Sequence, residues 1–246
     1  EVLSIISKIS LLIQAFKNID NLNPELQYSI KSLLGWTQSS KELFEDPNAF
    51  TLKDKWLVIG QETESLDELI IQRNWLMGTK TNQSALILNF GTKFSPVTNS
   101  FLSGSIIEGE LSFFPAVWKN RAVLKQQKGF VEKLETQPTA WSNWLEVFSQ
   151  RSQLLSIYPW ASDIPVILDN VRFVMDGTKG LIVDQNKHYQ PLIEAIDYNK
   201  ILNLMAIMGN NALTIAGILR KDGFLPLGVF ENNEYIIIPG NVAKTT

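Results

Sequence analysis

Apolar and polar positions alternate along this chain with two different periods, and the change of period divides it. The opening run "VLSIISKISLLIQAF" has polar residues Ser4, Ser7, Lys8, Gln14, Lys17 and Asn18 at about helical spacing, which predicts a helix with a wide apolar face turned toward a core. Asn23-Pro24-Glu25 is a start signal for a second helix, because Asn caps and proline at the first helical position gives up no needed hydrogen bond. Leu26, Ile30, Leu33, Leu34 and Thr37 share one face of that helix, which is expected to end before Asp46-Pro47.

From Trp56 the period becomes extended. "KWLVIG", "LIIQRNWLMG", "SALILNF", "SIIEGELSFF" and "RAVLKQQ", separated by glycine, proline and polar clusters, predict five strands in a meander or small barrel. Residues 127–139 read as a linker. "AWSNWLEVFSQRSQLLSIY" then sets Trp141, Trp144, Leu145, Phe148 and Leu155 on a helical face stopped by Pro159. The last third returns to strands, with an Asp-Gly turn at Asp176-Gly177, a short helix "YNKILNLMAIMG" ending at Gly209, and a hairpin turned at Lys221-Asp222-Gly223. The expected fold class is α+β: N-terminal helices and an antiparallel sheet or small barrel over 1–126, the linker, then a helix and a second antiparallel β-rich part over 140–246. The chain carries no strict internal repeat.

Composition removes more functions than it suggests. At 246 residues, 45% hydrophobic and 19% charged, the chain is core-forming, and its net charge of −3 makes no global field for nucleic acid or an anionic membrane. It has no cysteine, hence no disulfide, thiol nucleophile or thiolate metal site, and this suits a reducing, cytoplasmic setting. The opening run lacks a basic leader and is too short and interrupted to span ~30 Å of hydrocarbon, so no membrane partner is expected. The first residue is Glu1 rather than methionine, which reads as a piece of something longer.

His188 is the single histidine, so multi-histidine metal sites are excluded within the chain; beside Tyr189 and Pro191 it reads as a strand-end side chain with a backbone partner rather than the base of a nucleophile. "DGTKG" at 176–180 has the wrong order and flanks for a phosphate loop and reads as a turn. Asp163, Asp169, Asp176 and Asp184 are the carboxylates that a hydrolase reading would use, although carboxylates near turns are commonplace. No catalytic residue is assigned.

The best charge cluster is "WKNRAVLKQQKGFVEK", with five basic residues and one acidic. Trp118, Lys119, Arg121, Lys125, Lys128 and Lys133 form the candidate binding surface, since cations beside an aromatic track a nucleic-acid backbone. A hairpin pairing Phe114 with Lys119 would set Ser112 opposite Arg121 and Glu108 opposite Lys125, neutralising part of it and leaving Lys119, Lys128 and Lys133 over. In "QRNWLMGTKTNQSALILNF", Arg73 and Trp75 share one side of a strand, where the guanidinium is expected over the indole, and "SALILNF" reads as a strand covered on both faces.

"WLVIGQ" (56–61), "IQRNWLMG" (71–78), "SALILNF" (84–90), "PVTNSFLSGSIIEGELSFFPA" (96–116) and "NRAVL" (120–124), with the tail "NLMAIMGNNALTIAGILRKDGFLPLGV" (203–229), resemble the region C-terminal to the zinc finger in bacterial SWIM zinc-finger family proteins. The family's defining Cys-x-Cys and Cys-x-His ligands are absent, so none of its metal ligands transfers to a residue here, and zinc is expected only in an upstream segment. The resemblance implies a non-catalytic scaffold or protein-interaction region beside a module that contacts DNA or protein. Direct nucleic-acid binding through 118–133 is the alternative, with a carboxylate hydrolase behind it.

Overall fold

The structure is a computed structural model, and it describes residues 2–95, 97, 101–194 and 196–239. Glu1 and part of the 96–116 block, Pro96 and residues 98–100, lie outside the described residues. The fold is α+β, with N-terminal helices followed by two antiparallel sheets.

Helix α1 (Val2–Lys17) leads through a short 3-10 turn to α2 (Pro24–Leu33), and α3 (Ser40–Glu45) follows. Asn23 caps α2 as expected, its side chain accepting from Leu26 N–H. The second helix is shorter than predicted: Gly35, at φ +94°, turns the chain away, and Ser39 with Glu42 starts α3 through a capping box. The larger difference is α1. Val2, Ile5, Ile6, Ile9 and Ile13 are more than half exposed, because α1 packs on α2 along Leu12 and Ala15 and leaves the rest of its surface uncovered.

The five predicted strands form as β1 (Thr51–Leu66), β2 (Leu69–Gly78), β3 (Ser84–Thr92), β4 (Ile106–Phe113) and β5 (Ala122–Val131), in the order β3-β2-β1-β4-β5. Long β1 pairs with β4 through its first half and with β2 through its second, shifting register between Val58 and Gly60. A parallel bridge from Leu86 to Arg121, with Leu86 N–H donating to Asn120 O at 2.7 Å, brings β3 against β5 and closes a barrel. Trp56, Val58, Leu76, Ile87, Ile107 and Phe113 fill it.

The second part repeats this plan. β6 (Ile164–Asp176), β7 (Lys179–Val183), β8 (Tyr189–Pro191), β9 (Leu213–Leu219) and β10 (Phe224–Glu231) lie in the order β10-β9-β6-β7-β8, with β11 (Glu234–Ile237) added outside β10. β6 shifts register near its middle as β1 does, and a parallel bridge from Leu192 to Phe224 closes β8 on β10. That closure needs Gly223, where a Cβ would lie 2.7 Å from Pro191 O and 2.9 Å from Ile193 N. In both halves strands one to three form a meander, strand four returns to strand one, and strand five meets strand three in parallel. This is the connectivity of an OB-type barrel, and α5 (Tyr198–Met208) lies between the third and fourth strands of the second copy. With α4 (Trp144–Ile157), α5 supplies Trp144, Val147, Leu204 and Met208 to the inner core.

The barrels are joined by a third apolar cluster. Leu57, Ile59, Trp75 and Met77 on the outside of the first meet Ile167, Ile218, Leu225 and Leu227 on the outside of the second. β1 from Trp56 to Gly60 and β2 from Asn74 to Gly78 are therefore buried on both faces, and the cover over this part of the "QRNWLMG" hairpin is the second barrel. Residues 127–139 are not a free tether: β5 runs on to Val131, and Leu134 is buried in the cluster between the barrels. On α4, Trp144 and Val147 face inward while Leu145 is 56% exposed, and Trp141 precedes the helix and bridges to Leu168.

Candidate interaction surfaces

The segment carrying the predicted binding surface is broken up by its own strand. The 4–5 loop holds Trp118 and Lys119 against α2, where Ser29 Oγ accepts from Val117 N–H at 3.0 Å and Tyr28 stacks on Phe114. Lys119 Nζ lies 2.9 Å from Glu25 and over the Phe50 ring, and Arg121 lies over the Phe114 ring at 4.9 Å. Lys125 meets Glu110 at 3.4 Å, Lys128 meets Glu108 at 3.5 Å, and Lys53 reaches Glu110 from the other side. Burial pushes the Glu110 carboxyl up, but hydrogen bonds from Lys125 and Lys53 outweigh it and hold that carboxyl below its ordinary range. Lys133 is exposed and makes no ion pair among the described residues. A cavity on this side sets Lys53, Lys55, Lys80 and Lys128 against Asp54, Glu108 and Glu110, a mixed lining with little net field.

The expected neutralisation thus occurs in a different register. Ser112 pairs with Val123 and Glu108 with Gly129, because the loop from Phe114 to Arg121 is longer than a tight turn and the β4–β5 ladder shifts twice. Ser112 is consequently buried rather than beside Arg121. Arg73 likewise does not cover Trp75: its guanidinium reaches back across the hairpin to Glu64 at 2.7 Å, and Trp75 is fully buried under the second barrel. Ion pairing at the hairpin rim leaves the indole to the apolar interface.

The four aspartates do not converge. Asp163 pairs with Arg220, Asp169 accepts from Thr214 Oγ1, and Asp176 sits exposed beside the β6–β7 turn. Asp184, its side chain fully buried, accepts from the backbone N–H of Trp144, Asn186 and His188 at 2.8–2.9 Å. It therefore pins the first residue of α4 to the β7–β8 loop. His188 Nδ1 is 3.4 Å from the same carboxylate, so the lone histidine belongs to this loop's structure. No group of three or more histidine or acidic side chains able to hold a metal occurs among the described residues.

Two features had no signal in the sequence. Arg220 after β9 binds Glu62 of β1 as well as Asp163, clamping the barrels together across 158 positions of chain. Burial lowers the Arg220 proton affinity, and the two carboxylates more than restore it. Near Glu62, Lys200 of α5 is buried and donates to Ile238 O at 2.8 Å; burial depresses its pKa from 10.5 to about 8, with Glu62 opposing. The other feature is the exposure of α1's apolar face, extended by Trp36, which is 56% exposed and set edge-on to Phe16.

No described helix is long and apolar enough to cross a membrane. No family model, curated protein or solved structure matches this chain.

Proposed function

We propose that this chain is a non-catalytic scaffold in a cytoplasmic SWIM-type zinc-finger protein, in which two fused barrels support a helix that receives a protein partner. The supporting observation is α1, with eight large apolar side chains between 38% and 77% exposed on one 16-residue helix. Leu3 and Leu11 lie on the far side; the six on one arc, Val2, Ile5, Ile6, Ile9, Ile13 and Phe16, at ~150 Å² each and those exposures amount to roughly 500 Å², within the range of the largest patches monomers leave uncovered and a mark of an interaction site. The barrels' own free surface is reduced, since Leu57, Ile59, Trp75 and Met77 on the outer face of β1 and β2 are spent on the second barrel. Zinc belongs to an upstream segment on this reading, and the partner is protein rather than bilayer.

Incorporating a photo-crosslinking amino acid at Ile6, with Gln126 on exposed β5 as the control site, tests the reading in cells. The expected result is a protein adduct from Ile6 and none from Gln126. Absence of an adduct at Ile6, or equal adducts at both sites, would overturn it.

A second reading, nucleic-acid contact through Trp118, Lys119, Arg121, Lys125, Lys128 and Lys133, is favoured by one observation. Trp118 and Lys119 lie on the 4–5 loop that OB-type barrels use for oligonucleotides. Titration of single-stranded and duplex DNA at about 50 and 200 mM salt decides it, because phosphate contacts give affinity that falls steeply with salt. Absence of binding at the lower salt removes this reading.

A further inference from the structure

We infer that α1 is the interface of an antiparallel homodimer, two copies of this chain pairing helix to helix. The inference rests on the reading of α1 as an interaction face and names its occupant. Val2, Ile5, Ile9, Leu12 and Phe16 follow the alternating three-and-four spacing of a coiled-coil seam; Leu12 is its edge against α2, and Ile6 and Ile13 widen it on the open side. Lys8 and Lys17 flank this arc and Ser7 and Gln14 lie opposite it, so the seam itself carries no charge. A partner for it must be an equally uncharged apolar surface, and α1 is one.

The pattern is also its own complement. Laid antiparallel with Ile9 on the twofold axis, Val2 meets Phe16 and Ile5 meets Ile13, so the smallest side chain faces the largest at each end. That is the isologous condition for a closed dimer, and opposed helix dipoles favour it. α2 covers only the Leu12–Ala15 edge, leaving the Ile6–Ile13 side open for the second helix. The area suffices. The roughly 500 Å² on this arc, with Trp36 half-exposed and set edge-on to Phe16, comes to about 600 Å² per partner, the low end for a specific interface and in keeping with a micromolar dimer.

Sedimentation equilibrium of the 246-residue chain at about 50 μM is expected to give twice the 27.8 kDa chain mass, on the assumption of a micromolar Kd. Ile9→Lys is expected to weaken association at least tenfold, and Gln14→Lys on the opposite face to leave it unchanged, both with wild-type circular dichroism. Orientation is read from engineered cysteines, since the chain has none of its own. A mixture of Ile5→Cys and Ile13→Cys chains is expected to form a disulfide-linked heterodimer while neither alone cross-links. A monomer at 50 μM overturns the dimer, as does a monomer that binds zwitterionic or anionic lipid vesicles through α1. Ready cross-linking of Ile5→Cys with itself overturns the antiparallel arrangement. If the chain is monomeric but Ile6 forms adducts with a different protein, self-pairing fails while the interaction reading stands.

Discussion

Replacing Asp184 by alanine should be among the most damaging single changes away from the apolar cores. Its carboxylate holds three backbone N–H groups, and their surroundings differ. Asn186 is exposed and His188 half-buried, so their N–H groups regain water when the carboxylate goes; Trp144 is fully buried at the start of α4, and its N–H does not. An orphaned buried donor costs about 1–3 kcal/mol, and the lost charge-assisted bonds about 1.5–3 more, so Asp184→Ala should destabilise by roughly 3–5 kcal/mol. Asp184→Asn keeps one acceptor oxygen for the loop but turns an amide N–H₂ toward Trp144 N–H, for about 1.5–3 kcal/mol. His188→Ala keeps the backbone bond and should cost under about 1 kcal/mol. Urea unfolding followed by tryptophan fluorescence, with unchanged slopes, gives all three values. A loss below about 1 kcal/mol for Asp184→Ala, or a His188→Ala variant equally unstable, would refute the assignment of the loop's stability to the carboxylate.

Lys200 sets a pH dependence whose sign follows from its lowered pKa. Between pH 8 and 10.5 the unfolded chain holds a proton that the folded chain has released, so stability should rise through that window, by at most about 3 kcal/mol, and Lys200→Met should flatten the rise. Parallel urea profiles for the two proteins from pH 7 to 10.5 would contradict this. Arg220→Ala leaves Glu62 and Asp163 without their cation at the barrel junction; a loss of about 2 kcal/mol, with about 1 kcal/mol of coupling in a double-mutant cycle with Glu62→Gln, is expected from half-buried pairs. Additive single losses would show that the pair does not clamp the barrels. Gly223→Ala drives a methyl into the β8 backbone and should cost about 2–4 kcal/mol by calorimetry, whereas a neutral effect would mean that the second barrel is not closed there.

The local elements were largely legible in the sequence, and the long-range ones were not. Strands of the first barrel, the Asn23 cap, the Asp176-Gly177 and Lys221–Gly223 turns and the Gly209 stop all formed where local chemistry set them. The barrel repeat was hidden because the two copies share connectivity rather than residues, and the three-residue strand β8 is too short to show a period. Arg73 was misread because its partner, Glu64, lies across a hairpin whose register a strand pattern alone does not fix. Of the candidate surface, the strand was legible but its register and its extent past Lys128 were not, and Glu25, Glu108 and Glu110 pair with Lys119, Lys128 and Lys125. On α1 the apolar face was plain from the spacing, while its exposure was not, since periodicity reports that a face is apolar and not what lies against it.

The most direct measurement on the central claim is a photo-crosslinking scan along α1, one site at a time from Ile5 to Gln14, in cells producing the chain. The account expects protein adducts at Ile5, Ile6, Ile9 and Ile13 and little at Ser7 and Gln14, following the helical period. Uniform labelling around the helix, or adducts confined to Ser7 and Gln14, would contradict it.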